Sequence, residues 1–136
     1  MAGWQRAKAD LINYKKEEAE RNKAWTVYLT AIFSKKLIDI LDNLDRAEKE
    51  VPEDQKEDAV VKGFLQIGNQ MREFLKNEGI KELGVKAGDT YDTNFHEVVA
   101  EVETEGKNPG EIVEVLSKGY LLQDQLLRAA KVKVAK

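Results

Sequence analysis

The feature that most constrains the fold is a long segment near the start of the chain that contains nothing to break a helix. Residues 3–50 include no Pro and no internal Gly, and Ala, Leu, Lys, Glu and Arg dominate, as in stable helices. Apolar residues recur there at steps of three and four, which places them on one helical face. At about 1.5 Å per residue such a helix is about 70 Å long, too long for a single small domain to cover. We therefore predict a long N-terminal helix that packs against another chain in a coiled coil or bundle.

A second amphipathic helix follows after a short loop. Pro52 ends the first helical run, because proline cannot continue a helix, and the second run stops at Gly79. Two antiparallel helices joined by a short loop make half of a four-helix bundle, which a second subunit would complete. We expect their apolar faces to form this dimer interface, since burying four such side chains contributes about 6–12 kcal/mol. The faces consist of Leu37, Ile40, Leu41 and Leu44 on the first helix and of Phe64, Ile67, Met71 and Phe74 on the second.

The character of the sequence changes after Gly79. Glycines divide the remaining chain into short pieces, and three of these, at residues 98–102, 112–116 and 132–134, are rich in β-branched residues, as strands are. The turn signal Lys107-Asn108-Pro109-Gly110 separates the first two. The sequence therefore predicts an α+β protein with two domains. The long helix and the dimerisation bundle occupy residues 1–78, and a small all-β domain occupies residues 79–136.

Composition argues against several classes of function. The 22 Lys and Arg residues nearly balance the 25 Asp and Glu residues, which leaves a net charge of −3 and no broad basic field for nucleic acid. There is no Cys, which excludes disulfides and thiolate chemistry. No apolar run approaches the roughly 20 residues that span a bilayer, and no signal-peptide pattern is present. We expect a cytoplasmic protein that binds neither nucleic acid nor a membrane.

Residues that commonly carry catalysis or bind ligands are scarce. His96 is the only histidine, and in this context it is more readily explained as a turn or packing residue than as a metal ligand or general base. Gly63 and Gly68 imitate the glycine spacing of a phosphate-binding loop, but Asn69-Gln70 stands where Lys-Ser/Thr is needed. We therefore predict that the protein is not an enzyme and that it uses no metal, cofactor or small-molecule substrate.

Gly63 needs an explanation of its own, because it lies within a predicted helix. A glycine there costs about 1 kcal/mol relative to alanine. One interpretation is close packing of helices in the bundle, and the other is a place where a partner approaches the backbone. The residues themselves favour neither interpretation.

Lys15 and Lys16 lie on the long helix beside Tyr14. By themselves they are interpreted as a solvated pair.

Several motifs occur in a fixed order along the chain. Arg6-Ala7-Lys8-Ala9-Asp10-Leu11-Ile12-Asn13-Tyr14-Lys15-Lys16 lies on the long helix, and Leu44-Asp45-Arg46-Ala47 follows in the first bundle helix. Ser117-Lys118-Gly119-Tyr120 and Leu127-Arg128-Ala129-Ala130 lie in the β-rich part. With Gly63 between them, this series resembles GrpE, the family of nucleotide exchange factors that serve DnaK-type heat-shock chaperones. The resemblance extends over residues 6–136.

The resemblance implies a fold and a mechanism. The fold would be an elongated homodimer with paired long helices, a four-helix bundle and two small β-domains. One β-domain would bind the ATPase domain of a DnaK-type partner and open its nucleotide cleft, so that ADP leaves and ATP can enter. Such a co-chaperone serves protein folding and the stress response. The implied contacts with the chaperone are Lys15, Lys16, Tyr28, Gly63, Tyr91, Asp92, Thr93 and Val134.

The chain departs from the family pattern at two of these places. The family usually has Asp-Pro-Asn where this chain has Asp92-Thr93-Asn94, so the turn lacks the rigidity of a proline. A basic residue that is common one helix turn before Tyr28 is replaced by Ala24. The family also carries a longer N-terminal helix and a disordered tail, so we expect this chain to be a truncated form. The alternative function is a structural coiled-coil adaptor that keeps the scaffold without exchange activity.

Overall fold

The computed structural model describes residues 2–136 as an α+β protein in which the helices precede the strands. The long N-terminal helix and the small β-domain predicted from the sequence are both confirmed. The chain packs as two compact units, one ending at Ser34 and the other spanning Lys35–Lys136, while the division into functional domains at residues 78 and 79 stays a prediction. The elements are α1 (Ala2–Lys49), a short 3-10 helix (Glu53–Gln55), α2 (Ala59–Asn77), β1 (Ile80–Glu82), β2 (His96–Val102), β3 (Ile112–Ser117), β4 (Tyr120–Leu122), β5 (Gln125–Arg128) and β6 (Ala130–Ala135).

Local signals set the ends of both helices. α1 ends at Lys49, shortly before Pro52. α2 begins after Asp58, whose carboxylate accepts a hydrogen bond from the N–H of Val60 at 2.9 Å and so satisfies a donor that the first helical turn leaves free. The chain leaves α2 through Gly79, which has a φ of +85° that glycine adopts at little cost. No helix within residues 2–136 combines the length and the apolar character needed to cross a membrane.

Residues 2–34 form the first part of α1, and none of their large apolar side chains is buried. The contacts that these residues make within the unit are local to the helix. The rings of Trp25 and Tyr28 stack with their centroids 5.5 Å apart, and Arg21 forms an exposed ion pair with Glu18 at 2.6 Å. An exposed pair of this kind contributes at most about 0.5 kcal/mol. The unit is therefore held by helix propensity and local contacts rather than by a core of its own.

The six strands form two three-stranded sheets. In one sheet β4 lies between β1 and β5 and runs antiparallel to both. In the other, β6 lies between β2, to which it is parallel, and β3, to which it is antiparallel. Alternate residues of β6, namely Ala130, Val132 and Val134, are buried together with Ile112 of β3, because successive side chains of a strand point to opposite faces. These residues form the core of the second sheet.

The sequence predicts only three of the six strands. Residues 98–102, 112–116 and 132–134 are confirmed as parts of β2, β3 and β6, and each strand is longer than its β-branched segment. β1, β4 and β5 are not predicted. The turn between β4 and β5 is formed by Gln123 and Asp124, which have positive φ values of 48° and 67°, in a geometry that Asn-Gly or Asp-Gly usually signals. Without a glycine, this hairpin leaves no recognisable turn signal in the sequence.

Within the unit Lys35–Lys136, three acidic residues of α1 join the helices to the strands. Asp42, Asp45 and Glu48 follow one another at three-residue steps, which keeps them on one side of the helix, and we call them the acidic row. Arg72 of α2 forms ion pairs with Asp45 and with Glu48, the latter at 2.9 Å. Lys118, between β3 and β4, lies 3.9 Å from Asp45. The acidic row thus contacts both α2 and the β-domain.

Arg128, at the end of β5, binds the acidic row through both oxygens of one carboxylate. Its guanidinium donates to both carboxylate oxygens of Asp42, at 2.5 and 2.9 Å, and its Nε donates to the carbonyl of Lys118 at 3.1 Å. The same guanidinium lies over the ring of Tyr120, 5.4 Å from its centroid. The hydrogen bond to Asp42 raises the pKa of Arg128 above its usual value, and two-pronged pairs of this kind are among the strong hydrogen bonds of proteins. A permanent charge therefore fixes the end of β5 to α1.

We predict that Arg128→Lys lowers the free energy of unfolding by about 1–3 kcal/mol, because an ammonium group cannot reproduce the two-pronged bond to Asp42. Arg21→Lys is the matched control. Arg21 also makes two hydrogen bonds to one carboxylate, at 2.6 and 3.2 Å, but on an exposed helix surface, and its replacement should cost no more than about 0.5 kcal/mol. Urea denaturation followed by circular dichroism measures both values. Equal losses would contradict a stabilising role for the Arg128 contact.

Candidate functional site

The predicted chaperone contacts fall in three parts of the chain. Lys15, Lys16 and Tyr28 lie on α1 before Ser34, and all three side chains are exposed. Gly63 lies on α2, and the remaining positions lie in the β-domain. The helical positions are thus available at the surface of their unit, and their contact with a partner stays a prediction.

Gly63 is exposed, and nothing within the chain requires a glycine there. A Cβ atom added at this position would have no neighbour within 4 Å among the described residues, so packing inside one chain does not explain it. The position borders a shallow groove of about 360 Å³ along α2, which Ile67 and Gln70 also line. The two interpretations of Gly63 from the sequence, packing against a second copy in the bundle and contact with another protein, both stay predictions.

Gly68, by contrast, is the glycine that allows α1 and α2 to approach closely. It is buried, and a Cβ atom added there would collide with the carboxylate of Glu48 and lie 3.0 Å from Cδ2 of Leu44. Gly63 and Gly68 therefore have different environments, and their spacing does not mark a phosphate-binding loop. One lies at the surface and the other between two helices.

The predicted dimerisation residues are only partly available at the surface. Leu41 is completely buried in the chain's own core, and so is Ile38, which the sequence analysis does not select. Leu37, Leu44 and Met71 are half-buried. Leu41 therefore has no surface to offer a second copy. The members that remain exposed, at 42–58%, are Ile40, Phe64, Ile67 and Phe74.

Residues 91–94 form a turn, which we call the contact turn, and Asp92 holds it. Oδ1 of Asp92 accepts a hydrogen bond from the N–H of Asn94 at 2.9 Å, as in an Asx-turn. The carbonyl of Asp92 accepts from the N–H groups of Phe95 at 3.0 Å and of His96 at 2.8 Å. Its own N–H donates to Nδ1 of His96 at 2.9 Å. These bonds order the turn without a proline and leave Thr93 exposed. The backbone of His96 belongs to β2, and only its ring contributes to the turn.

Tyr91 is braced against a neighbouring loop. Its N–H donates to the carbonyl of Gly110 at 3.0 Å, and its ring lies 3.5 Å from the place that a Cβ atom of residue 110 would take. Gly110 has a φ of +87°, which side chains other than that of glycine adopt at a cost. Tyr91 as a whole remains 38% exposed. The contact turn thus presents an aromatic ring and polar groups on a fixed frame, which suits recognition of another protein.

Val134, the last of the predicted contacts, lies in the core of the second sheet. Its side chain is 3% exposed, and its strand is paired on both edges, with β2 and with β3. The position therefore offers a partner neither side-chain surface nor a free backbone edge.

The polar residues at the junction of helices and strands were not predicted from the sequence. Arg128 and Tyr120 were selected only as parts of family motifs, although Arg128 binds the acidic row and Tyr120 is buried under the guanidinium of Arg128. Burial raises the pKa of Tyr120 well above its usual value, and the negative charges of the nearby Glu82 and Asp45 raise it further. An arginine followed by small residues between two strands is the only signal that points to this contact.

Residues 2–136 contain no cluster of three or more His, Asp and Glu side chains suited to a metal ion.

Comparison with known proteins gives a consistent result along the chain. The GrpE family model matches residues 2–136. Protein GrpE of Halalkalibacterium halodurans is 35% identical over 129 residues, covering 95% of this chain and 66% of that protein. Protein GrpE of Parvibaculum lavamentivorans is 33% identical over 137 residues (96% and 64%), and that of Enterococcus faecalis is 34% identical over 131 residues (96% and 73%). The chain spans about two thirds of the length of the curated relatives it matches.

The match extends through both helices and all six strands, and it includes each of the motifs at residues 6–16, 44–47, 117–120 and 127–130. On these grounds, the chain belongs to the GrpE family.

Proposed function

We propose that this protein is a nucleotide exchange factor that binds the ATPase domain of a DnaK-type chaperone and promotes the release of ADP. The observation that carries the proposal is the GrpE family match over residues 2–136. The contact turn supports it, because an exposed aromatic ring and an exposed polar loop are held there by hydrogen bonds to the β-domain.

Exchange of this kind follows from a difference in binding free energy. A factor that binds the open form of a nucleotide cleft more tightly than the closed form shifts the partner towards the open form, whereas equal binding to both forms shifts nothing. Moving a population from about 1% to about 99% open takes roughly a 10⁴-fold difference in affinity. Because no covalent bond is made or broken, we propose that the protein is not an enzyme and needs no cofactor.

The contact turn is suited to this role because it is ordered before binding. Each flexible side chain that an interface immobilises costs about 0.5–1.5 kcal/mol. Asp92 already fixes the backbone of the turn, and Gly110 already supports the ring of Tyr91. We therefore assign the main contact to Tyr91, Asp92 and Thr93, and a second contact to the exposed backbone at Gly63.

We further propose that the protein acts as a homodimer. The exposed apolar residues of α2 lie at helical steps of four, three and seven, from Val60, which is 81% exposed, to Phe74, which is 52% exposed. Covering a row of four such side chains contributes about 6–12 kcal/mol, and a second copy of the two helices would do so by completing a four-helix bundle.

A chain without cysteine suits the reducing cytoplasm, which we propose as its compartment.

The dimer can be tested with one charge on this row. We predict that Ile67→Asp reduces the mass measured by light scattering from that of two chains to that of one, because Ile67 is 55% exposed in the single chain and would be buried in the dimer. Gln66→Asp adds the same charge at the neighbouring residue, which lies outside the apolar row and about 100° further round the helix, and it should leave the mass unchanged. A wild-type protein that sediments as a monomer at micromolar concentration would refute the dimer.

The exchange activity can be tested directly on the chaperone of the same organism. We predict that the protein accelerates the release of fluorescent ADP, with a saturable dependence on its concentration, in stopped-flow measurements. Asp92→Ala removes the carboxylate bond to Asn94 and should shift the curve to higher concentrations. An unchanged release rate at saturating wild-type protein would favour the structural adaptor instead.

Two substitutions of Gly63 separate a partner contact from packing within the dimer. We predict that Gly63→Asp weakens chaperone binding by tenfold or more while helix content and mass stay unchanged, because a charged side chain would block the approach of the partner's surface. Gly63→Ala meets no neighbour within 4 Å among the described residues and should stabilise α2 by up to about 1 kcal/mol. Circular dichroism, light scattering and a binding titration are run on both variants. Loss of the dimer in Gly63→Asp before any loss of binding would assign Gly63 to the bundle.

A further inference from the structure

The contact turn is closed by a ring nitrogen of the only histidine in the chain. Nδ1 of His96 accepts a hydrogen bond from the N–H of Asp92 at 2.9 Å. A peptide N–H can only donate, so Nδ1 must carry no proton for this bond to exist. A bond in this direction requires the neutral tautomer that carries its proton on Nε2. The bond depends on a protonation state that histidine changes between about pH 5 and pH 8.

The two ends of this bond differ in how firmly they are held. His96 is the first residue of β2 and pairs with Ala130 of β6. The adjacent bond from the N–H of Ala130 to the carbonyl of Phe95, at 3.0 Å, also ties this strand start to the sheet. Asp92 has no strand partner, and it is held by the bonds of the turn itself. The ring of His96 thus connects the contact turn to the sheet.

The residue paired with His96 on β6 is Ala130, which has no charge. Along the chain the nearest carboxylates are those of Asp92, which already accepts from Asn94, and of Glu97, which lies opposite Lys131 of β6. Within residues 2–136 no ion pair involves His96. Protonation would place a second donor, Nδ1–H, against the N–H of Asp92 and would break the bond.

We propose that His96 is a positioning residue and a proton switch for the contact turn. The neutral ring holds residues 91–94 in the conformation that binds the partner, and the protonated ring releases them. The consequence for the partner rests on the proposed function, whereas the switch itself is a property of this chain. The partner's affinity therefore falls when acid places a proton on Nδ1 and removes the acceptor for the N–H of Asp92.

His96→Asn is the variant that isolates the switch. Its side-chain oxygen takes a place close to that of Nδ1, so the acceptor for the N–H of Asp92 is kept while the titration is lost. His96→Ala loses both. A merely structural role for the ring predicts that the two variants differ in stability, but it predicts no difference between wild type and His96→Asn in their dependence on pH.

Nuclear magnetic resonance on the chain alone tests the switch without any partner. Between about pH 8 and about pH 5.5, the wild-type amide signals of Asp92 and Asn94 should shift together with the imidazole nitrogens of His96, and the nitrogen shifts at the upper pH should show the proton on Nε2. In His96→Asn the two amide signals should stay constant. Amide signals that ignore the titration of the ring, or a proton on Nδ1 at the upper pH, would overturn the proposal.

Binding of the ATPase domain of the DnaK-type chaperone tests the consequence. From the upper to the lower pH, wild type should lose about three- to tenfold more affinity than His96→Asn, as expected for one lost hydrogen bond, and any titration of the chaperone cancels in this comparison. His96→Ala should bind weakly at both values. Equal pH profiles for wild type and His96→Asn would refute the switch at the partner. Absence of binding at the upper pH would refute the proposed function. The nuclear magnetic resonance measurement on the chain alone would then be the test of the His96 switch.

Discussion

The ion pair between Asp42 and Arg128 is the contact on which much of the unit Lys35–Lys136 depends. Arg128 ends β5 and lies two residues before Ala130, the first residue of β6, so fixing its guanidinium to α1 also fixes the point where the central strand of the second sheet begins. The N–H of Ala130 in turn donates to the carbonyl of Phe95 beside the contact turn. The position of the proposed binding surface is thus connected, bond by bond, to one carboxylate of the long helix.

A polar junction of this kind specifies geometry more narrowly than an apolar one. Two apolar surfaces can shift relative to one another with little loss of free energy. A guanidinium, by contrast, makes two parallel hydrogen bonds to a carboxylate in only one orientation. The junction also has a cost, because the hydroxyl of Tyr120 and Oε1 of Glu48 are buried without a hydrogen-bond partner among the described residues, and each such group is destabilising by about 1–3 kcal/mol. The ion pairs of the acidic row offset this cost only while both partners of each pair remain in place.

The parts of the fold that were predictable are those that depend on local periodicity. The helices and three strands follow from apolar spacing, β-branched segments, Pro52 and Gly79. The rest depends on contacts between distant parts of the chain: the burial of Leu41 follows from what covers α1, and that of Val134 from its place in a central strand. In the candidate site, the contact positions were predicted from the family resemblance. The hydrogen bonds that order the turn around Asp92 were not, because the bond to the ring of His96 depends on a side-chain orientation that no residue pattern indicates.

The order of strands in the second sheet has a consequence for synthesis on the ribosome. β6 is the last of the six strands to be made, yet β2 and β3 pair only with it and not with each other. Until Ala130 and the residues after it have emerged, the segments that become β2 and β3 lack their pairing partner, and unpaired strand segments expose a chain to misassembly with other chains. The parallel pairing of β2 with β6 also joins residues far apart in sequence, which slows folding. A member of a co-chaperone family thus passes, at each synthesis, through the kind of vulnerable intermediate from which chaperones protect other proteins.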